Sequence, residues 1–302
     1  MKLASFDGGK IGLVEGERII ELPEWSQDAA SWPPVGMVQL IAACVDDPGL
    51  LAGAVRGGAE RRLSEVRLEA PIQWPNKLIA FPANYHEHVE EMKRGTGLIS
   101  PFKADGQGFF LKANSSLSGP NDPIVLPDLP ERQIHHECEI AIIIGQGGRW
   151  IARENALDHI FGYCALIDMV VRGREERVMR KSFDSFCPLG PYITTRDEVP
   201  DPSNMRMYLN VNGQRRQTAS TADLIVGIPQ MIEMASSVMT LFPGDIIATG
   251  TPQGVGPVLG GDVVEIVVEG VGAMTLNVVQ GGGATNGVWK KAQDKDVAAA
   301  GA

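Results

Sequence analysis

His135-His136-Glu137-Cys138-Glu139-Ile140-Ala141-Ile142-Ile143-Ile144-Gly145 is the stretch on which the fold turns. Its β-branched run, closed by glycine, reads as a buried strand. Side chains alternate along a strand, so Glu137 and Glu139 project from one face. Two carboxylates side by side at the mouth of such a strand repel each other, and a cation or a shared proton must compensate. A second apolar run, Tyr163-Cys164-Ala165-Leu166-Ile167, ends in a third acid, Asp168. Three oxygen donors with no imidazole or thiolate suit a hard divalent cation such as Mg2+ or Mn2+. By residue type alone the same acids also read as solvated decoration of a strand end, and the rest of the chain must separate the two.

The totals narrow the field. The chain has 302 residues, 44% hydrophobic and 21% charged, as expected for a globular protein with a sizeable core. A net charge of −10 argues against nucleic acid or an anionic membrane as a partner. Met1-Lys2-Leu3 does not open a basic, apolar leader, and no apolar run is long enough to span a bilayer. Cys44, Cys138, Cys164 and Cys187 show no Cys-x-x-Cys spacing. They read as free thiols in a reducing, cytoplasmic setting, with Cys138 and Cys164 as core packing.

Short apolar runs and turns up to Leu22 predict a small antiparallel meander. A helical pattern follows from Gly36, with Met37, Leu40, Ile41 and Cys44 on one face, then an alanine-rich stretch from Leu50 to Val55. The prolines of Pro71-Ile72-Gln73-Trp74-Pro75 mark a boundary. Beyond it come a strand, Lys77-Leu78-Ile79-Ala80-Phe81, and a short helix with Asn84 near its N-terminus. On that helix His88 and Glu91 share a face. A further strand delivers Lys112, and a charged segment runs from Arg172 to Lys181. Ile228 to Leu241 reads as an amphipathic helix with Met231, Met234, Ala235 and Val238 inward. Strands are expected again at 262–269 and 272–279, and a frayed tail beyond Gly281.

Several familiar motifs fail. The glycines of Gly250-Thr251-Pro252-Gln253-Gly254 do not open a helix, so they are no dinucleotide fingerprint. There is no Gly-x-Ser-x-Gly elbow for a serine hydrolase. His86 and His88 point apart on a helix, which disfavours a two-histidine iron site.

What remains is an ordered series: Asn84-Tyr85-x-x-His88-x-x-Glu91, Phe110-Leu111-Lys112, Glu137-x-Glu139, Asp168-x-x-x-Arg172, Lys181-Ser182-Phe183-Asp184, and Gly244-Asp245 through Thr249-Gly250-Thr251-Pro252. Together these resemble the fumarylacetoacetate hydrolase family, from about Lys77 to Val279. The resemblance implies an α+β, strand-rich fold. Residues 71–280 would form a mixed β-roll catalytic domain, residues 1–70 a small N-terminal α/β domain, and residues 281–302 a flexible tail. It also implies a homodimer and a small anionic oxo-acid substrate. Glu137, Glu139 and Asp168 match the metal ligands, and His88 with Glu91 matches the pair that activates water. Lys112, Arg172, Lys181 and Thr251 match positions lining the substrate pocket. One position departs: seven residues after the aspartate many members carry a glutamine, and this chain has Glu175. Either the loop register is shifted or the pocket takes a different substrate.

The implied chemistry is metal-dependent hydrolysis of a carbon–carbon bond in a β-diketo acid, an acylpyruvate such as fumarylpyruvate or a related intermediate of aromatic catabolism. Lys181 or Lys112 would stabilise the oxyanion, and Arg172 would hold the substrate carboxylate. The alternatives are an isomerase or decarboxylase of unsaturated oxo-diacids or oxaloacetate on the same site, or a non-catalytic binder of small acids. By residue type alone, His88 reads as a surface histidine and Lys181 as part of a solvated face. Thr251 reads as a turn residue, and Asp184 as a turn or a partner for Lys181.

Overall fold

The computed structural model describes residues 1–27, 31–51, 58–96, 103–282 and Trp289. The decisive stretch forms the strand Cys138–Ile144, all seven residues buried. It is apolar on both faces because each face meets a different core. Cys138, Ile140, Ile142 and Ile144 pack into one core with Leu209, Ile266 and Leu276. Ala141 and Ile143 pack into another with Leu3, Ile11, Leu40 and Ile41. Burying one such aliphatic side chain contributes about 1.5–3 kcal/mol, so the run holds both layers to a single sheet.

That sheet is mixed. Cys138–Ile144 pairs antiparallel with Ile160–Ile167 on one side and with Ile246–Ala248 on the other. Ile246–Ala248 then pairs parallel with Leu78–Ala80, which carries Phe110–Lys112 at its edge. A five-stranded sheet in the order 214–220, 206–211, 263–268, 272–280, 124–126 covers the first core. The predicted strands at 262–269 and 272–279 are its Val263–Val268 and Gly272–Gln280.

The N-terminal meander forms as expected from Lys2–Phe6, Lys10–Glu15 and Arg18–Glu21. Its first strand also pairs with Cys187–Thr195, so residues 1–22 extend the large sheet. The helix Gly36–Asp46 buries Met37, Leu40 and Ile41 against it. The expected alanine-rich stretch beyond Leu51 lies outside the described residues, as do residues 97–102 and most of the tail. Trp289 is buried and packs on Phe183 at 5.4 Å.

One expectation needs correction. The helix Ile228–Val238 buries Ile228, Met231, Ile232 and Ala235, while Val238 is 62% exposed. The helix ends at Val238, beyond the last turn that reaches the core. Asn84 does lie just before the helix His86–Thr96, but its side chain is committed elsewhere. Its amide donates to the carbonyls of Val226 and Thr249 at 3.0 and 2.9 Å and accepts from the Val226 N–H at 2.7 Å. Fully buried, it ties three separate segments together. Asn84→Ala leaves those backbone groups without partners, and a loss of roughly 2–4 kcal/mol in unfolding free energy is expected. A urea midpoint within experimental error of the parent would refute this account.

Candidate active site

The strand pair that builds the core also builds the site. Cys138 faces Ile167 and Glu139 faces Leu166 in register, and the Asp168 N–H donates to the Glu137 carbonyl at 2.9 Å. The third acid is thereby delivered opposite the first two. Glu137, Glu139 and Asp168 each present a carboxylate oxygen within 4.8 Å of the others, and all three are buried.

Cations already compensate this cluster. Lys181 Nζ donates to Glu137 Oε2 at 2.6 Å and also to Asp168. Lys112 Nζ donates to the other Asp168 oxygen and, at 2.9 Å, to the Phe186 carbonyl. Burial pushes the Glu137 carboxyl up, but Lys181 and Arg172 outweigh it and hold it down at about 2. Glu139 goes the other way. Burial raises it well above the carboxylate range, the charges of Asp168 and Glu137 add to this, and Lys181 and the Gly250 N–H offset only part. Burial and its acidic neighbours thus favour the protonated form of Glu139, while Lys181 and Arg172 favour the ionised form of Glu137.

Gly250 supplies that N–H at 2.8 Å from Glu139 Oε2. Its φ is +91°, and a Cβ there would meet Phe81 O at 2.8 Å and Asn84 Cβ at 2.7 Å. Only glycine brings the backbone this close to the acid.

His88 and Glu91 meet as their helical spacing predicts, with His88 Nδ1 2.9 Å from Glu91 Oε2. His86 is exposed while His88 is buried, so the two histidines do point apart. The other Glu91 oxygen accepts from the Gly254 N–H at 2.9 Å. Burial would raise the Glu91 carboxyl, yet the bonds from His88 and Gly254 bring it below its ordinary value. An ionised carboxylate only accepts, so Nδ1 carries the proton of this bond and Nε2 is the ring nitrogen left for other partners.

A cleft of about 800 Å³, its open mouth included, brings these groups together. His88, the three acids, Lys181, Arg172 and Thr251 all line it, with Phe81 and Phe110 as apolar wall. Glu91 stands behind His88, and Lys112 stands behind Asp168. Arg172 Nη1 lies 3.7 Å from Glu137 Oε1, and its Nε donates to His135 Nδ1 at 2.9 Å. Burial and the Arg172 charge hold the His135 imidazole down at about 4, neutral and able to accept that bond.

Other expectations find different places. Asp184 lies exposed in a turn, as one of its two readings has it, and Lys181 is bonded to Glu137 and Asp168 rather than to it. Glu175 is buried and ion-paired with Arg132, off the cleft wall. Its Oε1 takes the ion pair with Arg132, while Oε2 is buried without a hydrogen bond among the described residues. Thr251 does more than close a turn: its hydroxyl accepts from Gln217 Nε2 at 2.9 Å. Gln217 also accepts from the Cys138 N–H and pairs with His136 Nδ1, each at 3.0 Å. Sequence reasoning missed Gln217, because a lone glutamine on a polar strand carries no signal until its partners are known. Arg177 and Arg180 also line the cleft, within a segment legible only as charged.

The Fumarylacetoacetate (FAA) hydrolase C-terminal family matches residues 77–279. The chain belongs to the fumarylacetoacetate hydrolase family. A maleylpyruvate hydrolase of Aquipseudomonas alcaligenes is 39% identical over 285 residues, covering 92% of this chain and 99% of that protein. The crystal structure of maleylpyruvate hydrolase from Sphingobium sp. SYK-6, in complex with manganese(II) ion and pyruvate, is 51% identical with a TM-score of 0.83. The match covers 93% of this chain and all of that one. The 5-carboxymethyl-2-hydroxymuconate delta-isomerase of Mycobacterium smegmatis is 33% identical, with a TM-score of 0.71 over 93% of this chain and 100% of that one. Family membership accords with the strand-rich architecture and with the positions of the motifs. Among the described residues, no helix is long and apolar enough to cross a membrane.

Proposed function

We propose that this protein hydrolyses a carbon–carbon bond in an acylpyruvate-type β-diketo acid, in a reaction that depends on Mg2+ or Mn2+. One observation carries the reading: a histidine held by a carboxylate lines the same cleft as three convergent acids. Isomerisation or decarboxylation of an oxo-acid needs no attacking water, and so no base dedicated to one. The names of the two maleylpyruvate hydrolases, and the manganese and pyruvate in one of their structures, support the same class.

The donor set fits a hard divalent cation, since Glu137, Glu139 and Asp168 offer only oxygen. Such a cation supplies Lewis acidity and a template for a 2-oxo carboxylate when bound. The remaining work belongs to side chains. His88 Nε2 takes a proton from water as the oxygen attacks the distal carbonyl, and Glu91 stabilises the imidazolium that forms. Lys181 donates to the developing oxyanion, an interaction of the kind whose loss costs about 3–4 kcal/mol. Arg172 holds the substrate carboxylate. The carbon–carbon bond then breaks with its electron pair going to the pyruvate side. That carbon takes up a proton, and the products are one carboxylic acid and pyruvate.

Pyruvate release from acylpyruvates should require Mg2+ or Mn2+ and stop in chelator. Release of carbon dioxide, or migration of a double bond without pyruvate, would instead favour the decarboxylase or isomerase reading, which the Mycobacterium smegmatis neighbour keeps in view. The family resemblance supports a homodimer, which analytical ultracentrifugation tests.

The raised Glu139 carboxyl has a consequence for metal uptake. A cation needs the carboxylate, so binding competes with protonation of Glu139. Affinity is therefore expected to rise with pH, by at most about tenfold per unit, until the pH passes the pKa of that group. Calorimetric titration with Mn2+ in buffers of different ionisation heat should show up to one proton released at neutral pH. No dependence on buffer would contradict the protonation state given above.

A further inference from the structure

The cleft carries more positive charge than the reaction centre uses. Lys181 and Lys112 are spent on the acid cluster, Arg172 lies beside Glu137 and His135, and Lys93 is paired with Glu90. Arg177 and Arg180 also line the cleft, and among the described residues neither has a carboxylate side chain in ion-pair contact. Both guanidinium groups are nevertheless held in place, by neutral groups. Arg177 donates to Gln107 Oε1 at 3.1 Å and lies 5.2 Å from the Phe110 ring centroid. Arg180 donates through Nε to the Glu175 carbonyl at 2.7 Å and through Nη1 to the Val171 carbonyl at 3.4 Å.

Those contacts orient the cations without neutralising them. The two arginines lie three residues apart on the helix Arg177–Lys181, where side chains are neighbours and like charges destabilise. A second anion would relieve that repulsion, and a guanidinium matches a carboxylate in shape as well as charge. The placement relative to the chemistry is constrained too. The Phe110 ring that lies beside Arg177 is also 5.8 Å from Lys181 Nζ, and Lys181 touches two of the three acids. One aromatic ring therefore contacts both Lys181 at the reaction centre and the unspent Arg177.

We propose that Arg177 and Arg180 form an anion subsite that takes a carboxylate on the acyl group, making the protein selective for acylpyruvates that are dianions. This inference rests on the hydrolase reading and names its substrate class. Arg172 serves the 2-oxo carboxylate, and Arg177 with Arg180 serves the opposite end. Phe110 forms the apolar wall between them.

The test compares two substrates on the Mn2+-loaded enzyme: maleylpyruvate, which ends in a carboxylate, and acetylpyruvate, which ends in a methyl group. The parent should favour maleylpyruvate in kcat/KM. In the Arg177→Gln/Arg180→Gln double variant the ratio of the two kcat/KM values should fall roughly 10- to 100-fold, mostly through KM for maleylpyruvate. A ratio that stays constant, whether or not both activities drop, overturns the subsite. A binding measurement keeps the outcome separate from the hydrolase reading. If the parent hydrolyses neither substrate, that reading fails, and thermal stabilisation of the Mn2+-loaded protein by 2-oxoglutarate relative to pyruvate still tests the subsite. The parent should prefer the diacid and the double variant should not. Equal preference in both proteins rejects the proposal.

Discussion

Glu139→Gln is expected to leave the metal-free protein as stable as its parent and to remove its response to Mn2+. Burial and the neighbouring charges of Asp168 and Glu137 raise the Glu139 carboxyl well above the usual range, which favours its neutral form. A glutamine imitates that neutral form in size and polarity. Its side-chain oxygen can still accept from the Gly250 N–H, which lies 2.8 Å from Glu139 Oε2. With metal present the comparison changes, since an amide is a poorer ligand than a carboxylate and adds no charge. At a hundredfold excess over its dissociation constant, a bound ion stabilises the parent by about 2.7 kcal/mol. For a chain of this size that is a rise in Tm of several degrees. Thermal melts of both proteins in chelator and in Mn2+ would show it, and an undiminished metal-induced rise in the variant would remove Glu139 from the ligand set. Asp168→Ala is a blunter probe. It takes the shared counter-charge from Lys112 and Lys181, and breaking a buried pair in this way costs about 3–5 kcal/mol before any metal is added.

His88→Ala should cost hydrolysis about 10²- to 10⁴-fold in kcat, the usual contribution of a positioned general base. Metal-induced stabilisation should persist, since His88 is not among the three converging acids. Enolisation or decarboxylation of oxaloacetate, if the site supports either, should survive in part, because neither needs an activated water. Glu91→Gln should fall between the parent and His88→Ala. An amide can still accept from Nδ1 through its oxygen, but it offers no charge to stabilise the imidazolium. Full hydrolytic turnover of acylpyruvates by His88→Ala would end the water-activation role. Loss of metal binding in that variant would mean that the two halves of the site are not separable.

Local periodicity determined much of this protein. The apolar run after Glu139 required a buried strand, and strand alternation put Glu137 and Glu139 on one face. Helical spacing put His88 beside Glu91, and it turned His86 away from His88. These relations span at most a few residues, so backbone geometry alone settles them. A second apolar run supplied Asp168 as the third acid, and the motif series then pointed to the family.

Tertiary structure decided which cations neutralise which acids and which are left over. Lys112 is 56 residues from Asp168 in sequence, and Lys181 is 44 from Glu137. Nothing local assigns them to those acids. The reading of Val238 failed for a related reason: a hydrophobic period continues past the point where the core ends, and only the packed neighbours mark that point. Asn84 looked like the start of a helix but ties three distant segments together. Glu175 read as either a shifted loop register or a pocket for a different substrate, and in the fold it is paired with Arg132. From sequence, the segment from Arg172 to Lys181 was five cations in a row of ten residues. In the fold Lys181 is buried among the acids, Arg172 is shared with Glu137 and His135, and Arg177 and Arg180 face the cleft. Charge is legible in a sequence, but compensation of charge depends on distance and burial, and those exist only once the chain has folded.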